Sequence, residues 1–420
     1  PCQLDLTSYD GLDRGANPIP VYNGARFTTN KPTRIGIDAD TTTAWRAKDF
    51  FPVLNERADT RAAHLNNALL YRVLLQKRGD DFPAAGRLPA TYAVGTELET
   101  DKDSLIQPNT CPNIERYDQL AHKHPQWGMP FGFPGLSEEE FKTIETWLAQ
   151  GSPVAPAAAT PRAVQQEIAK WERFFNGESN KVRLMARYVY EHLFSGHLYF
   201  DQIDPGMNFV LVRSRTSPGQ PIDLIPTVRP YDDPGVSRVY YRLQRYDRTI
   251  VDKTHLTYAL NDKRLARLKQ LFLDPDYAVP ELRGYDPKLS ANPFKTFVAI
   301  PPRSRYQFML DDAQFIVGGF AKGSVCRGSI ALSVIDDHFW VLFTDPDGDP
   351  VNHDADFMAK VSDDLRIPSE REENIGLLTA WNAYYDYANR YFRAKVDYVQ
   401  SVYPKGQGYG LKQIWDGAKV

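Results

Sequence analysis

With 420 residues, 42% hydrophobic and 25% charged, the chain has enough apolar mass for two or three domains with substantial cores. Its formal net charge of −3 excludes the basic footprint of a nucleic-acid-binding protein, and no run approaches the roughly 18 apolar residues of a membrane-spanning helix. The surplus lies in aromatics and proline, with 23 Tyr, 22 Phe, 7 Trp and 31 Pro, a composition of aromatic cores and ordered loops more than of disorder.

Residues 1 to about 110 read as loop-rich with one helix, from Arg61 to Lys77, where Leu65, Leu69 and Val73 recur at helical spacing. Gly79-Asp80-Asp81 ends it. His122 and His124 follow on a polar loop, then Trp127-Gly128-Met129-Pro130-Phe131-Gly132-Phe133-Pro134-Gly135-Leu136. Ser137 and Glu140 form a Ser-x-x-Glu capping box, Phe141, Ile144 and Leu148 make an apolar stripe, and Gly151 then Pro153 stop the helix. A Met-Pro loop before a final amphipathic helix resembles the closing half of a c-type cytochrome domain, where a soft thioether meets haem iron and raises its reduction potential. Met129 has a plainer reading as core filler among aromatics, but Pro130 and Gly132 stiffen the loop and favour the ligand. The partner motif, Cys-x-x-Cys-His, does not occur between Pro1 and Val420. It is expected upstream of Pro1, and without it this stretch of chain is expected to bind no covalent haem.

The Gly151 to Pro161 segment is rich in Pro and Ala and reads as a linker, so the expected domains are 1–153 and 160–420. Beyond it, Pro161 opens a helix to about Asn176, and a second runs from about Asn180 to Phe200. Strand-like runs are Phe209 to Arg213, Arg238 to Tyr246, Thr296 to Ile300, Gln314 to Gly318, Ser329 to Ile335 and His338 to Phe343, with a helix near Asn261 to Leu273 among them. A long aromatic helix spans about Arg371 to Tyr403. The expected fold class is α+β: a mainly helical, cytochrome c-like N-terminal region followed by a mixed α/β region that continues past Ile414-Trp415-Asp416-Gly417.

Other chemistry-bearing residues have ordinary readings. His192 and His197 stand five apart, which turns them away from each other on a helix, unlike the four-residue spacing of a zinc helix. Packing or hydrogen-bonding histidines are expected. Asp336-Asp337-His338 places a carboxylate beside an imidazole, but the same residues make hairpin turns. Asp345, Asp347 and Asp349 lack the distal Glu of a calcium loop and read as a turn. Arg238, Arg242, Arg245 and Arg248 would suit a phosphate, although strand arginines paired with acids explain them as well. Gly318 to Gly323 fits neither a Walker A loop nor a dinucleotide fingerprint. Cys2, Cys111 and Cys326 are too few to define a redox compartment. For Cys2 and Cys111, both a disulfide and a buried free thiol remain open.

Several rare stretches together resemble one family. They are Pro1-Cys2-Gln3-Leu4, Phe51-Pro52-Val53-Leu54-Asn55-Glu56-Arg57, Trp127-Gly128-Met129-Pro130-Phe131-Gly132, Arg187-Tyr188-x-Tyr190-Glu191-His192-Leu193-Phe194, Lys253-Thr254-His255 and Val334-Ile335-Asp336-Asp337-His338-Phe339-Trp340. Along essentially its whole length the chain resembles the bacterial fatty acid cis–trans isomerases, periplasmic c-type haem proteins. The resemblance implies haem c as cofactor, Met129 as the distal iron ligand, and membrane phospholipids with cis-unsaturated acyl chains as substrate, isomerised to trans without ATP or NAD. Two rival readings are a periplasmic c-type electron carrier with a docking module, and a haem-free lipid-binding protein.

Overall fold

A computed structural model describes the chain except residues 1–3, 18–38, 40, 81, 84–85, 90–91, 93–111, 157, 228, 250–254, 322–344, 366–376, 405–406, 409 and 415–420. The fold is α+β, mostly helical with one small mixed sheet. Its described residues divide into two compact units, the first ending at Ala158 and the second beginning at Ala159.

The first unit is helical: α1 (Tyr9–Arg14), α2 (Thr42–Arg46), α3 (Arg61–Asn66), α4 (Leu69–Arg78), α5 (Ile114–Lys123) and α6 (Glu138–Ala149). Side-chain oxygens cap most of them. Ser8, Thr41, Thr60 and Asn113 each accept a bond from a first-turn amide, and Ser137 and Glu140 complete the expected capping box of α6. The helix expected over residues 61–77 is instead two helices. At the break Leu70 donates its amide to the Val53 carbonyl at 3.0 Å, and Ala68 is wholly buried. Packing against the 53–54 segment therefore overrides the helical periodicity. Ala16, Val53, Leu54, Ala68, Leu69, Tyr117 and Leu148 form the core.

The second unit opens with α7 (Arg162–Phe175) and α8 (Asn180–Leu193). A sheet follows, with β1 (His197–Phe200), β2 (Asp204–Ser214), β3 (Tyr240–Tyr246) and β4 (Thr257–Ala259) in the order β3-β2-β1-β4. β1 and β3 pair antiparallel with β2, and β4 runs parallel to β1. Then come α9 (Asp262–Phe272), α10 (Pro287–Ser290), α11 (Pro293–Thr296), α12 (Pro302–Asp311), α13 (Ala313–Ala321), α14 (Ala355–Val361) and α15 (Leu377–Val402). From Leu184 to Leu193 every residue of α8 is buried, so this helix is the axis of the unit. Trp171, Phe175, Leu198, Phe209, Phe272 and Phe308 pack in the core around it.

Three expectations are corrected here. The helix expected to run from Asn180 to Phe200 stops at Leu193. Gly196 donates its amide to the Leu193 carbonyl at 2.8 Å, and residues 197–200 leave as a strand. Thr296 to Ile300 is not a strand, because Asn292 caps the Lys295 amide and Pro293 starts the helical turn α11. Gln314 to Gly318 lies within helix α13. Short apolar runs carry no period that separates a strand from a buried helix. The runs Ser329 to Ile335 and His338 to Phe343 lie outside the described residues. No helix among the described residues is long and apolar enough to cross a membrane.

Candidate functional site

Met129 projects from a loop that is fastened at its backbone. Its amide donates to the Val73 carbonyl of α4 at 2.9 Å, and Gly128 packs on the Lys77 backbone. An aromatic chain flanks the loop. His124 stacks on Trp127 at 3.8 Å, Trp127 meets Phe131 edge-on at 6.1 Å, and Phe131 lies 5.9 Å from Tyr92. Gln76 Nε2 donates to the His124 and Pro125 carbonyls at 2.9 and 3.2 Å, tying the loop entrance to the same helix. Within this frame the Met129 side chain is 38% exposed, with Leu88 and Phe133 also exposed.

That exposure sets Met129 apart from a core filler, which is buried. An accessible thioether on a fastened loop, with exposed apolar side chains nearby, is a donor that would suit haem iron. These residues do not by themselves build a second metal site, since no group of three or more His, Cys, Asp or Glu gathers among the described residues. His122 is exposed in the last turn of α5, and His124 is committed to Trp127. All three cysteines lie outside the described residues.

Beneath the loop lies a charge pair that the sequence did not announce. The Lys77 ammonium bonds the Asp80 carboxylate at 2.9 Å, and both side chains are 1% exposed. The ammonium also rests 4.4 Å from the Phe82 ring centroid. Burial pushes the Asp80 carboxyl up, but the Tyr92 hydroxyl and the Lys77 ammonium outweigh it and hold it below its usual value.

In the second unit the histidines behave as expected. His192 Nδ1 lies 2.8 Å from the Tyr188 carbonyl one turn back, and His197 has left the helix for β1. The His197 ring is 5.0 Å from His255 and 4.5 Å from Tyr246. Burial first, and then His255, lower its pKa to about 4. The arginines of β3 and the residues before it are paired with acids: Arg242 with Glu172 at 2.8 Å, Arg238 with Glu178 at 3.3 Å, and Arg245 with Asp247. Asp345 to Gly348 is a turn, with Asp349 capping the following 3-10 helix. Asp336-Asp337-His338 lies outside the described residues.

A second buried cluster was missed from sequence. Arg187 Nε donates to Glu191 Oε1 at 2.8 Å along α8. Arg213 sits on β2 at 1% exposure, and Tyr190, Tyr241 and Tyr285 surround the two guanidiniums. The i, i+4 spacing of Arg187 and Glu191 was a usable signal. For Tyr285 there was none.

Fold and site together define an α+β protein that presents a thioether on a helical unit and carries buried arginines in a helix-and-sheet unit. A family model described as fatty acid cis/trans isomerase matches residues 30–420, nearly the whole chain. The chain belongs to that family and is an isomerase of fatty acid double bonds. No curated protein and no solved structure matches it.

Proposed function

We propose that the protein converts cis-unsaturated acyl chains of membrane phospholipids to trans in the periplasm, with haem c as cofactor and Met129 as its distal ligand. The observation that carries this reading is the Met129 thioether, exposed on a fastened loop in a chain of the fatty acid cis/trans isomerase family. When bound, haem iron would supply a one-electron redox centre able to weaken a C=C π bond without net redox change.

The chain's own residues have distinct tasks. Met129 would hold the iron through sulfur, a ligand that favours the reduced state. The bond from its amide to Val73 and the Gly128–Lys77 packing hold the loop that carries that sulfur. Leu88 and Phe133 offer apolar surface beside it. Neither ATP nor NAD is required.

The test uses full-length, haem-loaded protein and vesicles of cis-monounsaturated phospholipid, with no added cofactor, and trans acyl chains are measured by gas chromatography. Trans product is expected. A haem-loaded sample that makes none would overturn the reading and favour an electron carrier.

A further inference from the structure

Strand alternation puts Arg213 on the inner face of the sheet. Residues 209, 211 and 213 share one side of β2, and Phe209, Leu211 and Arg213 are each 1% exposed. The register sets Arg213 opposite Tyr241 and Leu211 opposite Leu243. A cation therefore stands in a row otherwise built from core residues. Buried guanidiniums are normally matched by a carboxylate. Arg242, on the neighbouring strand, follows that rule: its partner Glu172 also accepts the Leu243 amide at 3.0 Å.

Arg213 does not. Among the described residues its hydrogen-bond partners are neutral, the Asp232 carbonyl at 2.8 Å and the Thr227 hydroxyl at 2.6 Å. The Asp232 carboxylate is occupied by Arg229 at 2.7 Å. Arg187, also buried, shares Glu191 at 2.8 Å. It gives Nη1 to the Arg283 and Gly284 carbonyls at 2.9 and 3.2 Å. The two arginines meet at one ring: Arg187 lies 3.9 Å and Arg213 5.7 Å from the Tyr285 centroid. Among the described residues the cluster thus holds two guanidiniums and one carboxylate. Among the described residues, two of its N–H groups, Arg187 Nη2 and Arg213 Nε, have no hydrogen-bond partner.

Excess positive charge and unused donors in a desolvated site are what an oxyanion satisfies, since a guanidinium presents its N–H groups in the plane that carboxylate and phosphate oxygens match. The cover is thin. Arg283, Gly284 and Asp286 are exposed, and Tyr285 is half-buried. We propose that Arg187 and Arg213 form a receptor, beneath the 283–286 segment, for the terminal oxyanion of an acyl lipid, either a phosphodiester or a carboxylate. It is a docking point for one end of the substrate, away from the double bond. The identity of the ligand rests on the reading of the protein as an acyl-lipid isomerase.

The experiment is calorimetric titration of the full chain at fixed ionic strength with three probes: dihexanoylphosphatidylcholine below its micelle concentration, decanoate, and inorganic phosphate. Saturable binding of either amphiphile is expected, weakened tenfold or more in Arg213→Gln and partly recovered in Arg213→Lys. Binding of the phospholipid alone assigns the site to a headgroup phosphate, and binding of decanoate alone assigns it to a fatty acid carboxylate. Should Arg213→Gln fail to fold, Tyr285→Leu replaces it, with at least threefold weaker binding expected. The proposal is overturned if neither amphiphile binds, if inorganic phosphate binds while both amphiphiles do not, or if a folded variant keeps wild-type affinity. Calorimetry needs neither haem nor turnover. Binding without isomerisation would sink the isomerase proposal alone, and isomerisation without binding would sink the receptor alone.

Discussion

Gly128 lies so close to Lys77 that a Cβ at position 128 would come within 2.4 Å of the Lys77 nitrogen and 2.6 Å of its Cα. Both contacts are with helix backbone, which cannot swing aside as a side chain tip can. The Met129 loop is therefore seated on α4 by the absence of a side chain one residue earlier. Gly128→Ala should push the loop off the helix and cost about 1–3 kcal/mol of stability, the usual range for overpacking. Denaturant unfolding would show it. An unchanged midpoint would mean that the loop is not seated there.

Met129→Ala should behave in the opposite way. Met129 is 38% exposed, so stability should change by only about 0.5–1 kcal/mol, far less than for a buried core methionine. In haem-loaded protein the reduction potential should fall, because the thioether no longer favours the reduced iron. A potential equal to wild type by spectroelectrochemistry would remove Met129 from the iron.

Asp80 gives the first unit an acid limit. Its folded-state pKa is lowered, with burial opposing the shift and the Tyr92 hydroxyl and Lys77 ammonium outweighing it. The carboxylate therefore contributes stability that is present above its unfolded value of 3.8 and lost as pH falls through the lower folded value. Asp80→Asn strands the buried Lys77 ammonium and should cost on the order of 3 kcal/mol at pH 7. Equal unfolding midpoints for wild type and variant at neutral pH would contradict this.

His197 predicts a second acid effect at milder pH. Its pKa is lowered from 6.5 to about 4 by burial and by His255, so the unfolded chain takes up a proton that the folded chain refuses. Stability from this group is present above 6.5 and declines as pH falls toward 4. His197→Gln should flatten the stability profile across that window while retaining an acceptor for the Leu256 amide, which lies 3.4 Å from Nδ1. Imidazole titration followed by NMR at or above 6.5 would contradict the assignment.

Local signals in the sequence were read correctly where the physics is local. The Ser137–Glu140 capping box and the Pro161 entry of α7 appear, as do strands covering 209–213 and, from Tyr240, most of 238–246. So does the aromatic helix ending near Tyr403. Each rests on a side chain meeting backbone within one turn, or on alternation along a few residues. The errors fall where that logic stops. Ala68 breaks a helix because Val53 takes the Leu70 amide, and Thr296 to Ile300 turns helical because Asn292 caps it. In both cases a partner or a cap overrode an apolar run that carried no decisive period.

The candidate sites divide along the same line. By itself the sequence determined the family, through rare stretches such as Trp127 to Gly132 and Arg187 to Phe194, and it marked Met129 as the residue to watch. Only the tertiary structure decided that Met129 is exposed rather than core, that Lys77 and Asp80 pair beneath its loop, and that Arg187 and Arg213 converge on Tyr285. Motifs are written along the chain, whereas exposure and charge balance depend on which distant residues arrive beside them. Position 213 is an arginine in an apolar strand either way, and only the fold buried it beside Arg187, where the described residues supply one carboxylate for two guanidiniums.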